Sequence, residues 1–270
     1  APWSSAERAV DRRLLAPERA AIVRAMGLLD FFSRKSALEK HAERAATKRT
    51  QNPERWESIQ ALGKIATTEP AAGKPDEREA AVAALLERFT FYCDPTITDG
   101  EEKDEAYRWI CEAGEIAVPA TRAALRKQES LSWGLKCLEQ LVDADRFCLE
   151  LVELLGTMTV EYERDPQRKL QLLSTLEEKR HPAIAKAVAP FFTAVNEEAR
   201  FHAFGAALAQ DDAEVVKDAL LEALAEEESI RVQIRVLGEL SERGWEVPES
   251  LPMPEGWFRD KKGHPRKSTK

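Results

Sequence analysis

The chain predicts an all-α protein, and three observations carry that expectation. Of its 270 residues 40 are alanine, against 12 glycines and 14 prolines, and 33% are charged. Ala, Leu, Glu, Lys and Arg lose least on entering a helix, so this composition favours one. Apolar residues recur at helical spacing through residues 36–243, and the alternation of a half-buried strand is absent there. The breaks between periodic runs carry helix-start and helix-stop chemistry.

The spacing predicts helices over 36–50, 53–67, 76–91, 102–114, 116–128, 131–141, 144–157, 166–179, 182–195, 197–210, 212–226 and 229–243. Asn52-Pro53, Asp165-Pro166 and His181-Pro182 each place a proline at a helix start, where its missing N–H costs nothing. Asp165 can accept from exposed amides, Asn196 precedes Glu197-Glu198, and Asp211-Asp212 opens the next run. Residues 93–100, CDPTITDG, read as the one clear internal loop. Helices of this length joined by short turns suggest antiparallel hairpins. A related helix, turn, helix pattern recurs at 56–70, 106–125, 198–224 and 230–244. Pro119 and Pro190 occupy similar places in it, two units of about 35 residues apart.

The pattern resembles HEAT repeats, particularly the short bacterial kind also found in phycobilisome lyases. Arg55, Ile59, Ala61, Leu62 and Gly63 match that family's second helix, as do Arg200, Ala203, Phe204 and Ala206. The run ending in Leu237-Gly238 keeps the ending with the arginine shifted by one. Residues 131–179 depart from the pattern, and the resemblance covers roughly residues 53–244. It implies a right-handed α-solenoid of five to six hairpins whose second helices line the concave side. The candidate interaction surface there is Trp56, Arg108, Trp109, Arg200, His202, Arg231 and Arg235, with both tryptophans expected to be buried.

The organisation expected is an N-terminal extension and capping segment over 1–35, a repeat domain over 36–247, and a proline-containing arm with a basic disordered tail over 248–270. The first methionine is Met26, so residues 1–25 are expected to lie upstream of the native start. Leu28, Leu29, Phe31 and Phe32, followed by Arg34 and Lys35, form a short apolar-then-basic run. It suits an end cap or weak contact with a membrane surface.

Net charge is −8, unevenly spread: residues 1–50 sum to +5, 255–270 to +4, and 51–254 to −17. An acidic body opposes general nucleic-acid binding, which needs a basic face. It suits a protein partner with a basic segment, and the basic tail can act as a lid on the body. Apolar runs are too short to span a membrane. Cys111, Cys137 and Cys148 fall on apolar helical faces and read as buried reduced thiols, so a cytoplasmic location is expected.

Motifs for chemistry are scarce. The four histidines, His41, His181, His202 and His264, form no metal-binding pair, and His181 suits a capping role. Phosphate-binding glycine loops and nucleophile elbows are absent. Asp94 to Glu105 has the length of a calcium loop, but its glycine, Gly100, is one place late. The run 99–105, DGEEKDE, reads as an acidic loop and first helical turn. No catalytic, cofactor-binding or metal-ligating residue is assigned. The expected function is a non-enzymatic scaffold; a lyase or another small-ligand enzyme, and less so a nucleic-acid binder, are the alternatives.

Overall fold

The computed structural model describes residues 36–268, and it is mostly helical. The helices are α1 (Ala37–Ala45), α2 (Asn52–Thr67), α3 (Arg78–Leu86), α4 (Thr96–Ala113), α5 (Val118–Lys127) and α6 (Ser132–Leu141). They continue with α7 (Ala144–Leu155), α8 (Gln167–Glu177), α9 (Ala183–Val188), α10 (Glu197–Leu208), α11 (Lys217–Ala225) and α12 (Ile230–Arg243). The expected N-terminal segment, with Leu28, Leu29, Phe31 and Phe32, lies outside the described residues.

Local chemistry sets the helix ends. Ser36 and Glu39 form a reciprocal capping box on α1. Asp143, Asn196 and Ser229 accept from amides in the first turns of α7, α10 and α12. Pro53 sits in the first turn of α2, and Gly244 ends α12 at φ 66°. Asp165 accepts from the amide of Gln167, and His181 Nδ1 accepts from the amide of Ala183, both at 3.1 Å.

Several expected helices are shorter, because their ends tighten into 3-10 turns at 87–90, 114–117, 189–193 and 213–216. Pro190 explains one case: it has no N–H to continue α9, so the expected 182–195 helix divides there. The expected 93–100 loop is largely absent. Helix α4 begins at Thr96, which places Asp99 in its first turn.

The C-terminal expectation is corrected as well. Instead of a disordered tail, β1 (Trp257–Arg259) and β2 (Pro265–Lys267) form an antiparallel hairpin with Phe258 opposite Arg266. Val247, Leu251 and Pro265 are buried, and β2 packs on α12. Apolar anchors on the proline-containing arm carry the basic residues onto the end of the helical body.

Helices pack on those two places away in the chain. Thus α2, α4 and α6 are neighbours, as are α8, α10 and α12; on the other side α1, α3 and α5 pack together, and α7 packs on α9. Across α5–α7 and α6–α8 the backbones approach less closely, and side chains bridge them: Arg122 to Glu150, Arg126 to Glu153, and Lys179 to Glu139. Two apolar clusters overlap at this boundary, and the second crosses it through Val118, Leu125, Leu135 and Leu138. One is built from α1–α6, around Ile59, Leu62, Leu85 and Ile110. The other runs from α5 to the C-terminal arm, around Leu151, Leu173, Phe192, Phe204 and Leu240.

Two helical glycines differ in what they permit. A Cβ on Gly63 would lie 2.1 Å from the Trp109 indole, so α2 and α4 approach only because that position is bare. A Cβ on Gly238 would meet nothing within 4 Å. Gly63→Ala is therefore expected to destabilise by about 1–3 kcal/mol through overpacking. Gly238→Ala should stabilise by up to about 1 kcal/mol through helix propensity. Urea unfolding of the two variants checks the contrast.

Candidate interaction face

The even-numbered helices carry most of the residues singled out from sequence, and the structure gathers them into two groups. On α2 and α4, Gln60 Nε2 donates to Glu105 Oε1 at 2.6 Å. Arg108 bridges Glu105 at 2.5 Å and Glu112 at 2.7 Å, with its guanidinium 4.1 Å from the Trp109 ring. The hydrogen bonds from Arg108 hold the Glu105 carboxyl below its ordinary value. Trp109 is partly buried against Gly63. Trp56, expected in the interior, is 39% exposed, because it falls off the buried stripe of Arg55, Ile59, Leu62 and Ala66. On the neighbouring helix, Lys136 lies over both Tyr107 and Trp133.

The second group joins α8, α10 and α12. His202 Nδ1 donates to Glu177 Oε2 at 2.8 Å, and Arg235 pairs with the other oxygen of the same carboxylate. Burial opposes the charge on Glu177, but these two hydrogen bonds hold its carboxyl below the usual range. Phe201 lies between the guanidiniums of Arg231 and Arg235, each 4.0 Å from the ring centroid. Arg231 also pairs with Glu198 at 2.8 Å. Gly205 leaves the space that Arg235 fills. His202 on α10 and Arg231 and Arg235 on α12 thus form one site with Glu177 of α8.

Arg200 belongs to neither group. It turns to the hairpin ends, where Nη1 donates to the carbonyls of Ala194 and Val195, and Nε and Nη2 fork onto Glu227 at 2.7 and 2.8 Å. Its work is to fix the entry to α10 against the turn before α12.

Between the groups lies a groove of about 360 Å³ where α6 and α8 part. Leu135 and Phe147 contribute apolar surface, Ser174 and Thr175 hydroxyls, Glu139 and Glu178 carboxylates, and Lys136 and Lys179 ammonium groups. Lys179 pairs with Glu139, which leaves Glu178 as the groove carboxylate with no ion pair among the described residues. It is open, polar and central on the face formed by the even-numbered helices.

The most concentrated charge in the described residues is elsewhere, and sequence reading missed it. Arg55 Nε donates to Glu102 Oε2 at 2.7 Å, and Arg88 Nε to the same oxygen at 2.8 Å. Arg88 Nη2 reaches Asp99 Oδ1 at 2.6 Å, and Lys103 Nζ lies 2.8 Å from Asp99 Oδ2. Arg55 and Arg88 each donate to Cys93 Sγ at 3.1 Å. Arg55 also holds the Thr50 carbonyl at 2.6 Å, and Arg88 that of Phe91 at 3.1 Å. Arg55, Arg88 and Glu102 are fully buried, while Lys103 and Asp99 are nearly so.

The sequence does contain the signal for this cluster. Asp99, Glu102 and Lys103 precede Ala106 and Ile110 on the same helical stripe, and all five are buried. Reading 99–105 as a solvated acidic turn overlooked that register.

Burial works against a charge on Asp99, yet Lys103, Arg88 and the Cys93 amide bring its carboxyl from 3.8 down to about 2. Burial pushes the Cys93 thiol up, while Arg88 and Arg55 oppose that rise. A carboxyl depressed by folding stabilises the protein above its unfolded value and loses that contribution as pH falls through the folded value. The Asp99 contribution should therefore be intact at pH above about 5 and disappear between about pH 4 and 2. In urea unfolding, Asp99→Asn should be less stable at neutral pH, with the gap to the parent protein narrowing across that window. A gap independent of pH would contradict the assignment.

No protein-family model matches the chain, and no match is found among curated proteins or solved structures, so its residues and their geometry carry the functional reading.

Proposed function

We propose that this chain is a HEAT-like, right-handed α-solenoid of six hairpins that serves as a non-enzymatic scaffold for a protein partner carrying a basic segment. The single observation behind the reading is the open groove between α6 and α8, which lies between the Gln60–Glu105 bond joining α2 to α4 and the Glu177–His202–Arg235 contacts joining α8, α10 and α12. Packing between helices two places apart is the relation expected of stacked hairpins, which cannot bury their apolar faces alone.

A scaffold binds tightly when its surface is ordered beforehand, because less conformational freedom is lost on association. The Gln60–Glu105–Arg108–Glu112 ladder and the Glu177–His202–Arg235 site supply that order. The groove itself keeps Ser174, Thr175 and Glu178 available to a ligand's donors. A basic segment approaching the −17 body would be steered by long-range attraction before making these contacts. No helix among the described residues is long and apolar enough to cross a membrane.

Affinity capture from native lysate with the full chain tests the reading, run beside Glu178→Lys. A stoichiometric protein retained at low salt, weakened about tenfold or more by Glu178→Lys, and released when the Debye length falls to about 3 Å is the expected result. Capture indifferent to both salt and charge reversal would contradict it. A coloured or small-molecule ligand purifying with the chain would favour the enzyme alternative instead, and recovered nucleic acid the third.

A further inference from the structure

Five ionised side chains meet beside Cys93 with unequal charge. Arg55, Arg88 and Lys103 contribute three cations, Asp99 and Glu102 two carboxylates, and each side chain is more than nine-tenths buried. No other carboxylate among the described residues is within ion-pair distance of these three cations. Among the described residues the cluster thus carries one more cation than anion, eased by the Tyr92 ring 3.7 Å from Lys103 Nζ and the Phe91 ring 4.5 Å from the Arg88 guanidinium. Two guanidiniums converge on Cys93 Sγ at 3.1 Å each, and a guanidinium can only donate; the thiol in turn donates toward Asp99 Oδ1 at 3.5 Å and Glu102 Oε2 at 3.8 Å. Helix α4 starts three residues later, so its positive end adds to the same potential. Among the groups that hydrogen-bond to Arg55 and Arg88, the sulfur is the one that oxidation can convert into a new anion.

We propose that Cys93 is an oxidation site for hydrogen peroxide or another two-electron peroxide, and that its sulfinate is the anion that completes the cluster. In the first step sulfur attacks one peroxide oxygen and the O–O bond breaks. The sulfur gives up two electrons, and the thiol proton leaves with the displaced hydroxide as water, giving a sulfenic acid. A second peroxide repeats the transfer to give a sulfinic acid, which releases its proton to solvent. In each attack negative charge develops on the departing peroxide oxygen, and the Arg55 and Arg88 N–H groups at the sulfur are placed to stabilise it and the sulfinate that results. Entry is by the short 91–95 connection: Cys93 is 8% exposed and its neighbour Tyr92 76%.

The four cysteines provide an internal comparison. Cys111 is the more exposed thiol, yet no guanidinium donates to its sulfur; Cys137 and Cys148 are buried without such donors. The experiment treats the folded full chain with limiting hydrogen peroxide, traps sulfenic acid with dimedone, and maps every cysteine by peptide mass spectrometry. Cys93 should be modified about tenfold faster than Cys111, and that preference should vanish in denaturant. Lys103→Met, which removes the excess cation without touching the sulfur, should reduce sulfinate accumulation at Cys93. Oxidation of Cys111 first, or a preference that survives denaturation, would overturn the proposal. An unchanged sulfinate yield in folded Lys103→Met would overturn the charge-balance basis; if that variant does not fold, the parent comparison still decides.

Discussion

The pairing of Arg55 and Arg88 on one oxygen of Glu102 fixes the first third of the structure. Those three side chains come from α2, the 3-10 turn after α3, and α4, and none touches solvent. Moving two guanidiniums and a carboxylate out of water costs several kcal/mol per ion, which only near-complete hydrogen bonding offsets. The structure provides most of it: carbonyls of Thr50 and Phe91, the Asn52 side chain, Asp99 and the Cys93 sulfur take all but one N–H on each Nη1. An apolar contact tolerates small sliding. This arrangement does not, so it sets how α2, α3 and α4 meet and thereby where Trp109 finds Gly63.

The same device recurs more lightly further along. Arg200 forks onto Glu227 while holding two carbonyls, and buried Lys169 joins Glu163 to the Thr159 carbonyl beneath the 156–166 connection. Each ties an irregular segment to a helix, because backbone carbonyls that leave regular structure and become buried need donors. Ion pairs on the outer surface do different work. Exposed pairs such as Arg126–Glu153 contribute about 1 kcal/mol or less, so the α5–α7 boundary is held mainly by the buried cluster that crosses it through Val118, Leu125, Leu151 and Leu154. The open groove sits beside that boundary, between α6 and α8.

Much of the helical pattern was legible because it depends on near neighbours in sequence. Ile59, Leu62 and Ala66 announce one face of α2, and Asn196 announces the start of α10. The breaks at 87–90 and 213–216 were not legible, since tertiary packing decides where an α-helix tightens. The hairpin at 257–267 was hidden by its basic composition, which reads as solvated until Val247, Leu251 and Pro265 are seen to anchor it. Among the surface candidates, His202, Arg231 and Arg235 converge as their helical register allows. Arg200 shares their helix or its neighbour yet turns the other way, toward Glu227. Arg55 was visible only as a motif residue; its burial follows from Glu102, 47 positions away, and no local pattern links the two.

A buried ion cluster at the first hairpins, an open groove between α6 and α8, and side-chain contacts between helices on either side of it make up one physical picture. Its central claim is that the buried charges act as a coupled unit. The direct test is a double-mutant cycle on Arg55→Met and Glu102→Gln, read by urea unfolding. The account predicts a coupling of about 3 kcal/mol or more, as for a buried pair whose loss strands its partner. A coupling below about 0.5 kcal/mol, typical of exposed pairs, would contradict it.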